Sequence, residues 1–368
     1  MEKTTKDKKE KKKPVSSTKP ADVQKFLKGQ KISKTSSAND SRSYQIDDLG
    51  MTAEDHEVPT DGPFAVIDPI DTPLGPIGKF QMDLEHFPLH PAMCLFGKRR
   101  TGKTFTLRDV MAKCFTHIPF GVVFSQTAHN GFWQRYVPSQ FVFKDLQTDK
   151  MQAFIDRQMS VIEKWRHDHA EEVEKDNDCY KRVPELAAFC ILDDVISDRV
   201  AVQWSKQLNY FFVNGRHLCC SVFITSQHVK GIGPMIRGNM DIVCLQPIFQ
   251  LAARMELHDM YAGSMDRNLF FQMMNCIVKD ENLEGSTPQD PKKYVRTMFI
   301  NDFENTTNPH IKYKWSEAED PGDFKLLHPE YWKKQENVIA GPPKPRHTVD
   351  EIDELDEVMN VLGRPQHQ

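Results

Sequence analysis

The sequence predicts an α/β fold, a mostly parallel sheet with helices packed on both of its faces. Short apolar runs alternate along the chain with longer segments in which apolar residues recur every three or four positions. The apolar runs show no polar alternation, which is typical of parallel strands that are buried on both faces. A segment containing glycine and lysine, GKRRTGKT at 97–104, directly follows the first apolar run and precedes the first helical pattern.

These two periodicities predict the elements in order. Residues 92–96 (AMCLF) predict a buried strand, and residues 103–115 predict a helix whose apolar residues recur at i, i+3, i+4 and i+7. The further predicted strands are 120–124, 186–192, 218–225 and 241–245, and the further predicted helices are 151–165 and 199–213. After residue 250 the pattern predicts two more helices and a late strand at 294–300.

Charge is distributed unevenly along the 368 residues, whose formal net charge is -4. Residues 1–45 carry 13 Lys+Arg and 5 Asp+Glu, a local charge of +8, so the rest of the chain sums to -12. This balance excludes a uniformly basic nucleic-acid coat protein. Residues 1–45 have few large apolar side chains and predict a disordered basic tail, because such a segment cannot offset its ordering entropy by burial. Residues 46–84 predict an extended lead-in.

The predicted folded domain spans 85–335, and a different kind of segment, 336–368, follows it. This segment begins as a proline-rich linker, and 348–363 predicts an acidic amphipathic helix in which Thr348 and Glu351 form a capping box. The apolar stripe of that helix consists of Val349, Ile352, Leu355 and Met359. Such a helix can dock on a partner or pack on its own domain, and the sequence leaves both open.

Cysteine usage and hydropathy point to the interior of a cell. No apolar run approaches the roughly 18 residues of a membrane span, and the N-terminus lacks the apolar core of a secretory signal. We therefore expect a soluble chain without a membrane span. None of the eight cysteines forms a C-x-x-C pair, which predicts reduced, buried thiols and neither a disulfide framework nor a zinc site.

The segment 97–104 matches G-x-x-x-x-G-K-[ST], a phosphate-binding loop, in the strand–loop–helix context that this motif requires. Its glycines let backbone N–H groups turn toward a phosphate, and the helix N-terminus adds partial positive charge. Lys103 is predicted to bridge the β- and γ-phosphates of ATP, and Thr104 to offer its hydroxyl to Mg²⁺. The alternative is a surface loop. The predicted nucleotide-binding residues are Gly97, Lys98, Arg99, Arg100, Thr101, Gly102, Lys103 and Thr104.

Two further strand ends carry candidate chemistry. The apolar run FCILDD at 189–194 ends in two aspartates. Beside a phosphate-binding loop, Asp193 is predicted to hold Mg²⁺ through water and Asp194 to polarise the attacking water. The strand at 218–225 leads into ITSQ at 224–227. If this strand lies between the other two motif-bearing strands, Gln227 faces the γ-phosphate; an ordinary strand-end turn is the alternative.

Two arginines are candidates for a finger that acts on a neighbouring subunit's nucleotide. Arg216 lies in NGRH at 214–217, where the predicted helix closes at a domain edge, and Arg237 lies in IRGN at 236–239. An arginine supplied in trans stabilises charge in the transition state of phosphoryl transfer. A surface salt bridge is the alternative for either residue.

Four motifs in this order, GKRRTGKT, FCILDD, NGRH and ITSQ, resemble those of the genome-packaging ATPases of large nucleocytoplasmic DNA viruses, a branch of the FtsK/HerA superfamily. The stretches FSQTAHNGFW (124–133) and WQRYVP (133–138) resemble the same branch, and the resemblance covers 85–250. It implies a RecA-like P-loop NTPase core, a homo-oligomeric ring and ATP-driven movement of double-stranded DNA into a preformed capsid. It also implies Asp194 as catalytic acid/base, Gln227 as sensor and Arg216 as the finger in trans.

The leading functional prediction is therefore a viral DNA-packaging ATPase that uses ATP and Mg²⁺. Its predicted partners are double-stranded DNA, bound without sequence preference through phosphates, and capsid or portal/vertex proteins. Lys230 and Arg254 are candidate DNA contacts. The expected location is the viral assembly site in the host cytoplasm, with the virion and the nucleus left open. The alternatives are a cellular or plasmid-borne FtsK/HerA-type pump, a low-turnover ATP-binding scaffold or switch, and a small-molecule kinase.

Overall fold

The computed structural model describes residues 56–62, 64–83, 86–195, 205–278 and 296–340, and all statements below concern these residues. The predicted disordered tail at 1–45 and residues 341–368, which include the acidic helix at 348–363, lie outside them. Residues 336–340, predicted as the start of the proline-rich linker, are helical. The first part of the predicted helix at 199–213 also lies outside the described residues.

The described residues form strands and helices that alternate along most of the chain. The strands are β1 (Ile70–Thr72), β2 (Gly75–Ile77), β3 (Ala92–Phe96), β4 (Phe120–Ser125), β5 (Val142–Lys144), β6 (Ala188–Asp193), β7 (Cys220–Ser226), β8 (Ile242–Leu245), β9 (Arg296–Asn301) and β10 (Tyr313–Glu317). The helices are α1 (Lys103–Cys114), α2 (Thr148–Asp168), α3 (Ala170–Lys175), α4 (Lys206–Asn214), α5 (Pro234–Arg237), α6 (Leu251–Tyr261), α7 (Arg267–Val278), α8 (Pro309–Lys312) and α9 (Pro329–Ala340).

Eight of the strands form one sheet in the order β10-β9-β8-β3-β7-β6-β4-β5. The pairs from β8 to β5 are all parallel, and β9 and β10 add two antiparallel pairs at one edge. Strand β7 lies between β3 and β6, so the strand before the phosphate-binding loop and the strand ending in Asp193 are separated by one strand. This order confirms the predicted mostly parallel sheet, and it meets the condition set for Gln227, that its strand lie between the other two motif-bearing strands.

Helices cover both faces of this sheet. Successive side chains of a strand point to opposite faces, and on β7 the two faces have different neighbours. The ring of Phe223 meets that of Phe115, which follows α1, at 4.9 Å between centroids. The adjacent Val222 lines a cavity together with Phe211 and Phe212 of α4. Helices α1 and α4 therefore lie on opposite faces, as the uninterrupted apolar strands predict.

The lead-in and the sheet edge beyond β8 contain elements that the periodicities do not predict. Strands β1 and β2 form a small antiparallel hairpin within the lead-in. The lead-in then reaches the antiparallel edge, where Phe80 stacks on Phe299 at 4.6 Å between centroids and Lys79 bridges to Trp315 of β10. Strands β5 (VFK) and β10 (YKWSE) are not predicted, because neither contains an uninterrupted apolar run like those of the predicted strands.

Gly121 permits the close approach of β4 and β6. It pairs with Phe189 on β6, and a Cβ at Gly121 would lie 2.7 Å from the Phe189 ring. We expect Gly121→Ala to lower the free energy of unfolding by about 1–3 kcal/mol, because the buried ring must shift against its neighbours. Urea titration measures this, and Gly263→Ala is the matched control, since the nearest atom there is 3.7 Å away. Equal effects of both substitutions would contradict this account.

Candidate functional site

The phosphate-binding loop connects the end of β3 to the start of α1. Gly97 donates its N–H to the Ser226 carbonyl at 3.1 Å, which keeps the loop's first residue against β7. Arg100 and Gly102 have φ values of 63° and 95°, in the left-handed region. At φ 95° glycine is strongly favoured. Helix α1 begins directly after Gly102 without a side-chain cap, which leaves its first N–H groups free for an anion.

Gly97 is also a point of close packing. A Cβ there would lie 2.5 Å from the Thr101 hydroxyl oxygen and 2.6 Å from Gln246 Cβ. Gln246 is fully buried, and its amide nitrogen donates to Thr106 of α1 and Thr297 of β9 at 2.9 and 2.8 Å. This network ties α1 to the ends of β8 and β9 beneath the loop, so the helix cannot shift without breaking buried hydrogen bonds.

The Lys103 ammonium lies inside the loop. Its side chain is buried, and Nζ donates to the carbonyls of Gly97 and Lys98 at 2.9 and 2.8 Å. Burial lowers the pKa of Lys103, while the nearby Asp194 and Asp193 carboxylates act in the opposite direction. The ammonium is thus held where a phosphate group against the loop would meet it. Lys98, Arg99 and Arg100 are exposed at the loop's outer turn.

The Asp193 carboxylate gathers three donors from distant parts of the chain. Its Oδ1 accepts from the hydroxyls of Thr104 and Thr225 at 3.1 and 2.8 Å. Its Oδ2 accepts from the indole N–H of Trp133 at 2.9 Å. Asp193 is 3% exposed, so these hydrogen bonds supply the compensation that a buried carboxylate needs. The structure therefore brings both residues of the predicted metal site, Thr104 and Asp193, into direct contact.

Asp194 and Gln227 also meet. The Gln227 amide nitrogen lies 2.8 Å from each Asp194 carboxylate oxygen. Asp194 has φ 54°, and its N–H donates to the Thr225 hydroxyl at 2.9 Å. The left-handed backbone turns the side chain out of the strand direction, where it is partly exposed beside the loop. A carboxylate has about four lone-pair sites, so the contact with Gln227 leaves capacity for a water molecule.

The donor set fits magnesium bound together with a nucleotide. Mg²⁺ is usually held by one or two protein oxygens plus substrate phosphates and water. The Thr104 hydroxyl and Asp193 Oδ1 provide such oxygens at the mouth of the loop. Across the described residues no group of three or more His, Cys, Asp or Glu side chains could hold a metal ion alone. The same residues contain no helix with the length and apolar character to cross a membrane.

Arg216 lies at the end of the sheet where the parallel strands begin, whereas the loop lies at the end where they finish. It precedes β7, and its guanidinium pairs with Asp241, which precedes β8 and also accepts the Ala92 N–H at 2.8 Å. The length of β3 separates the first end from the loop, roughly 15 Å at the usual rise of a strand. Burial raises the pKa of Asp241, and the Ala92 N–H and Arg216 oppose that shift. Within one chain, Arg216 therefore does not join the Asp193 cluster.

The remaining cationic candidates have partners of their own. Arg237 lies in the crossover between β7 and β8 and donates to the Ile232 carbonyl. Lys230 pairs with Glu256 at 2.9 Å, and Arg254 donates to the Ile248 carbonyl at 2.6 Å. Their roles as finger or DNA contacts stay predictions.

The sequence patterns assign no role to three residues of the cluster. Thr225, in the segment ITSQ near the end of β7, contacts both aspartates, but this contact depends on a strand order that the sequence does not predict. Trp133, although it lies in the stretch FSQTAHNGFW, and Gln246 have partners 60 and 140 positions away in the sequence, and no local pattern indicates these contacts. Only the folded chain brings them to the loop.

Thr225 is the residue whose removal tests the cluster most directly. We expect Thr225→Val to lower kcat by about 10- to 100-fold, because the hydroxyl that hydrogen-bonds the Asp193 carboxylate and the Asp194 N–H is lost. Steady-state ATP hydrolysis measures this. Thr225→Ser is the matched control, since it keeps the hydroxyl and should retain most of the rate. A Val variant as active as the Ser variant would show that the hydroxyl is dispensable.

Sequence comparison finds relatives among large DNA viruses. No family model matches the chain. It is 25% identical over 221 residues to the uncharacterized protein L437 of Acanthamoeba polyphaga mimivirus, covering 57% of this chain and 74% of that protein. It is 26% identical over 188 residues to the uncharacterized protein 088R of Invertebrate iridescent virus 3, covering 50% of this chain and 65% of that protein.

Comparison of the fold finds a viral genome packaging NTPase and a conjugation coupling protein among the solved structures. The genome packaging NTPase B204 of Sulfolobus turreted icosahedral virus 2, in complex with AMPPCP, aligns with a TM-score of 0.37 at 10% identity. That alignment covers 63% of this chain and 100% of B204. The pCW3 conjugation coupling protein TcpA, with ATPgS, aligns with a TM-score of 0.43 at 12% identity over 78% of this chain and 76% of that protein.

Proposed function

We propose that the chain is an ATP hydrolase that acts as a motor on double-stranded DNA and packages a viral genome. The observation that carries the proposal is the cluster at the carboxyl edge of the sheet. A buried lysine within a phosphate-binding loop lies beside a carboxylate shared by the hydroxyls of Thr104 and Thr225. A second carboxylate, that of Asp194, faces the same loop and accepts a hydrogen bond from the Gln227 amide. These are the parts that phosphoryl transfer requires.

Each part of the cluster has a task in hydrolysis. The loop's N–H groups and Lys103 would hold the β- and γ-phosphates, and Mg²⁺ held by Thr104 and Asp193 would supply further positive charge there. Water attacks the γ-phosphorus, and its proton passes to a free lone pair of the Asp194 carboxylate. The bond to the β-phosphate oxygen breaks, and Lys103 stabilises the charge that ADP carries away. Gln227 keeps Asp194 oriented and would respond to loss of the γ-phosphate.

Two observations favour DNA packaging over a small-molecule kinase. The motif order resembles that of viral packaging ATPases, and the sequence relatives come from mimivirus and an iridescent virus. That origin also favours a viral motor over a cellular or plasmid-borne pump. Under this proposal the chain works as a homo-oligomeric ring at the viral assembly site in the host cytoplasm. It would engage capsid or vertex proteins.

The decisive experiment measures ATP hydrolysis by the sized oligomer with and without linear duplex DNA. We expect DNA to raise the rate irrespective of sequence, and the stimulation to fall as salt rises, because phosphate contacts release counterions. Lys103→Ala should abolish nucleotide binding and hydrolysis. Lys164→Ala is the matched control, since Lys164 is an exposed lysine in the last turns of α2 and its loss should leave both unchanged.

The outcomes separate the candidate functions. Hydrolysis that DNA does not stimulate would support an ATPase without a DNA motor function. Nucleotide binding with negligible turnover, with or without DNA, would instead support a scaffold or switch. Absence of nucleotide binding by the intact oligomer would overturn the proposal altogether.

A finger in trans predicts complementation between two inactive subunits. We expect both Arg216→Ala and Asp194→Asn to bind ATP but to hydrolyse it more slowly than the wild type. For Arg216→Ala the rate should fall by about 10³- to 10⁵-fold. Rings mixed from both variants should regain activity, because an arginine-deficient subunit keeps Asp194 and receives Arg216 from its neighbour. Hydrolysis by mixed and unmixed rings measures this.

Two further variants serve as controls for this experiment. Arg216→Lys retains a positive charge for Asp241, so it separates loss of the ion pair from loss of the guanidinium. Arg237→Ala, tested in the same mixtures, identifies the finger if it complements where Arg216→Ala does not. Failure of both arginine variants to complement would argue against a finger from either residue.

A further inference from the structure

We propose that Trp133 is the positioning residue of the magnesium site: its indole fixes which oxygen of Asp193 faces the metal. The inference rests on the proposed function, since it concerns the site at which magnesium and nucleotide would bind. Trp133 itself touches neither, because it is fully buried behind the carboxylate. It acts through Asp193.

The two carboxylate oxygens of Asp193 have different surroundings. Oδ1 accepts hydroxyls from Thr104 on α1 and Thr225 on β7. Oδ2 accepts the Trp133 indole N–H at 2.9 Å. A threonine hydroxyl both donates and accepts and can turn toward another partner, whereas an indole nitrogen only donates. The hydrogen bond from Trp133 therefore keeps Oδ2 of Asp193 directed toward the indole, and only Oδ1 remains directed toward the loop.

Trp133 is held firmly enough to impose this choice. It lies in a short 3-10 turn, Trp133–Arg135, after β4, and its carbonyl accepts the N–H groups of Tyr136 and Val137 at 2.9 and 2.8 Å. The Phe132 ring packs edge-on against its indole at 5.3 Å between centroids. Gln134 fastens the turn to the Ala128 carbonyl at 2.7 Å. With the turn and the indole held by these contacts, the hydrogen bond restrains the Asp193 carboxylate.

This constraint has a consequence for metal binding. If Thr104 turned its hydroxyl toward Mg²⁺, Oδ1 of Asp193 would lose one donor and would be free to help hold the metal. A carboxylate without the indole contact could rotate about its terminal torsion, because such torsions are broad. It would then present either oxygen, or neither, at the required position. Partners in this outer position typically alter metal affinity by about 10- to 100-fold when removed.

The alternative is that Trp133 only fills space in the core. Trp133→Phe separates the two roles, since it keeps a buried aromatic ring and removes the donor. Trp332→Phe is the matched control: Trp332 is also buried, and its indole donates at 2.8 Å to the Leu326 carbonyl. Both variants lose one buried indole hydrogen bond, but only one of these bonds reaches Asp193.

The experiment measures binding of a non-hydrolysable ATP analogue by the intact oligomer, by calorimetry, with Mg²⁺ and with EDTA. In EDTA, Trp133→Phe should bind the analogue with the same affinity as the wild type. The increase in affinity on adding Mg²⁺ should be roughly tenfold smaller in the variant than in the wild type. The Mg²⁺ concentration for half-maximal hydrolysis should rise correspondingly. Trp332→Phe should match the wild type in each of these binding and hydrolysis measurements. The two substitutions should lower the Tm by similar amounts.

A second readout uses the wild-type chain, which has five tryptophans. The indole N–H resonance of Trp133, assigned by elimination from substitutions of the other four, should move when analogue and Mg²⁺ are added together. It should move little with analogue and EDTA. This measurement decides the matter even if Trp133→Phe fails to fold.

Two results would overturn the inference. One is a Trp133→Phe variant with the Mg²⁺ dependence of Trp332→Phe, and the other is a Trp133 resonance insensitive to Mg²⁺ in a chain that binds the analogue. Failure of the wild type to bind any nucleotide is a different result, because it overturns the proposed function and with it this dependent inference.

Discussion

The carboxylate of Asp193 is the group on which the rest of the site depends. It is a charge with 3% exposure, and a buried charge is tolerated only where hydrogen bonds replace lost water. Its three donors come from α1, β7 and the turn after β4. Satisfying one carboxylate therefore holds three separate parts of the chain together at the end of β6. The same contacts place the Thr104 hydroxyl beside it, where a nucleotide-bound metal would need both.

The sheet makes this convergence possible through its strand order. In parallel register Thr225 lies opposite Leu95 on one side and Asp193 on the other. One hydroxyl at the end of β7 can therefore serve the acidic strand while its own strand supports the loop. Because the crossover connections start each parallel strand from β3 to β8 at the same end of the sheet, the polar ends of these strands collect at the opposite end. A different order of the same strands would leave the motifs intact and the site dispersed.

The difference between local motifs and the strand order that brings them together explains how far the sequence predicts the structure. The phosphate-binding loop, Asp193, Asp194 and Gln227 are predictable because each is encoded in a short segment at the end of an apolar strand. On the antiparallel edge, β9 lies where the late strand at 294–300 is predicted. Strand β10 is not predicted, because the polar residues Lys314 and Ser316, buried together with Tyr313 and Trp315, interrupt any apolar run. The role of Trp133 is not predicted either. A long-range contact to a single side chain leaves no local periodicity, so its role can be recognised only in the folded chain.

The position of Arg216 constrains any assembly in which it acts as a finger. It lies at the amino edge of the sheet in an ion pair with Asp241, while the loop lies at the carboxyl edge. A neighbouring site can receive this arginine if the amino edge of one subunit meets the carboxyl edge of the next. That contact uses two different surfaces and is therefore heterologous, the kind that generates rings when its rotation closes. To reach a nucleotide, the Arg216 guanidinium must leave the buried Asp241 carboxylate. The contact with the neighbouring subunit therefore has to compensate the lost ion pair.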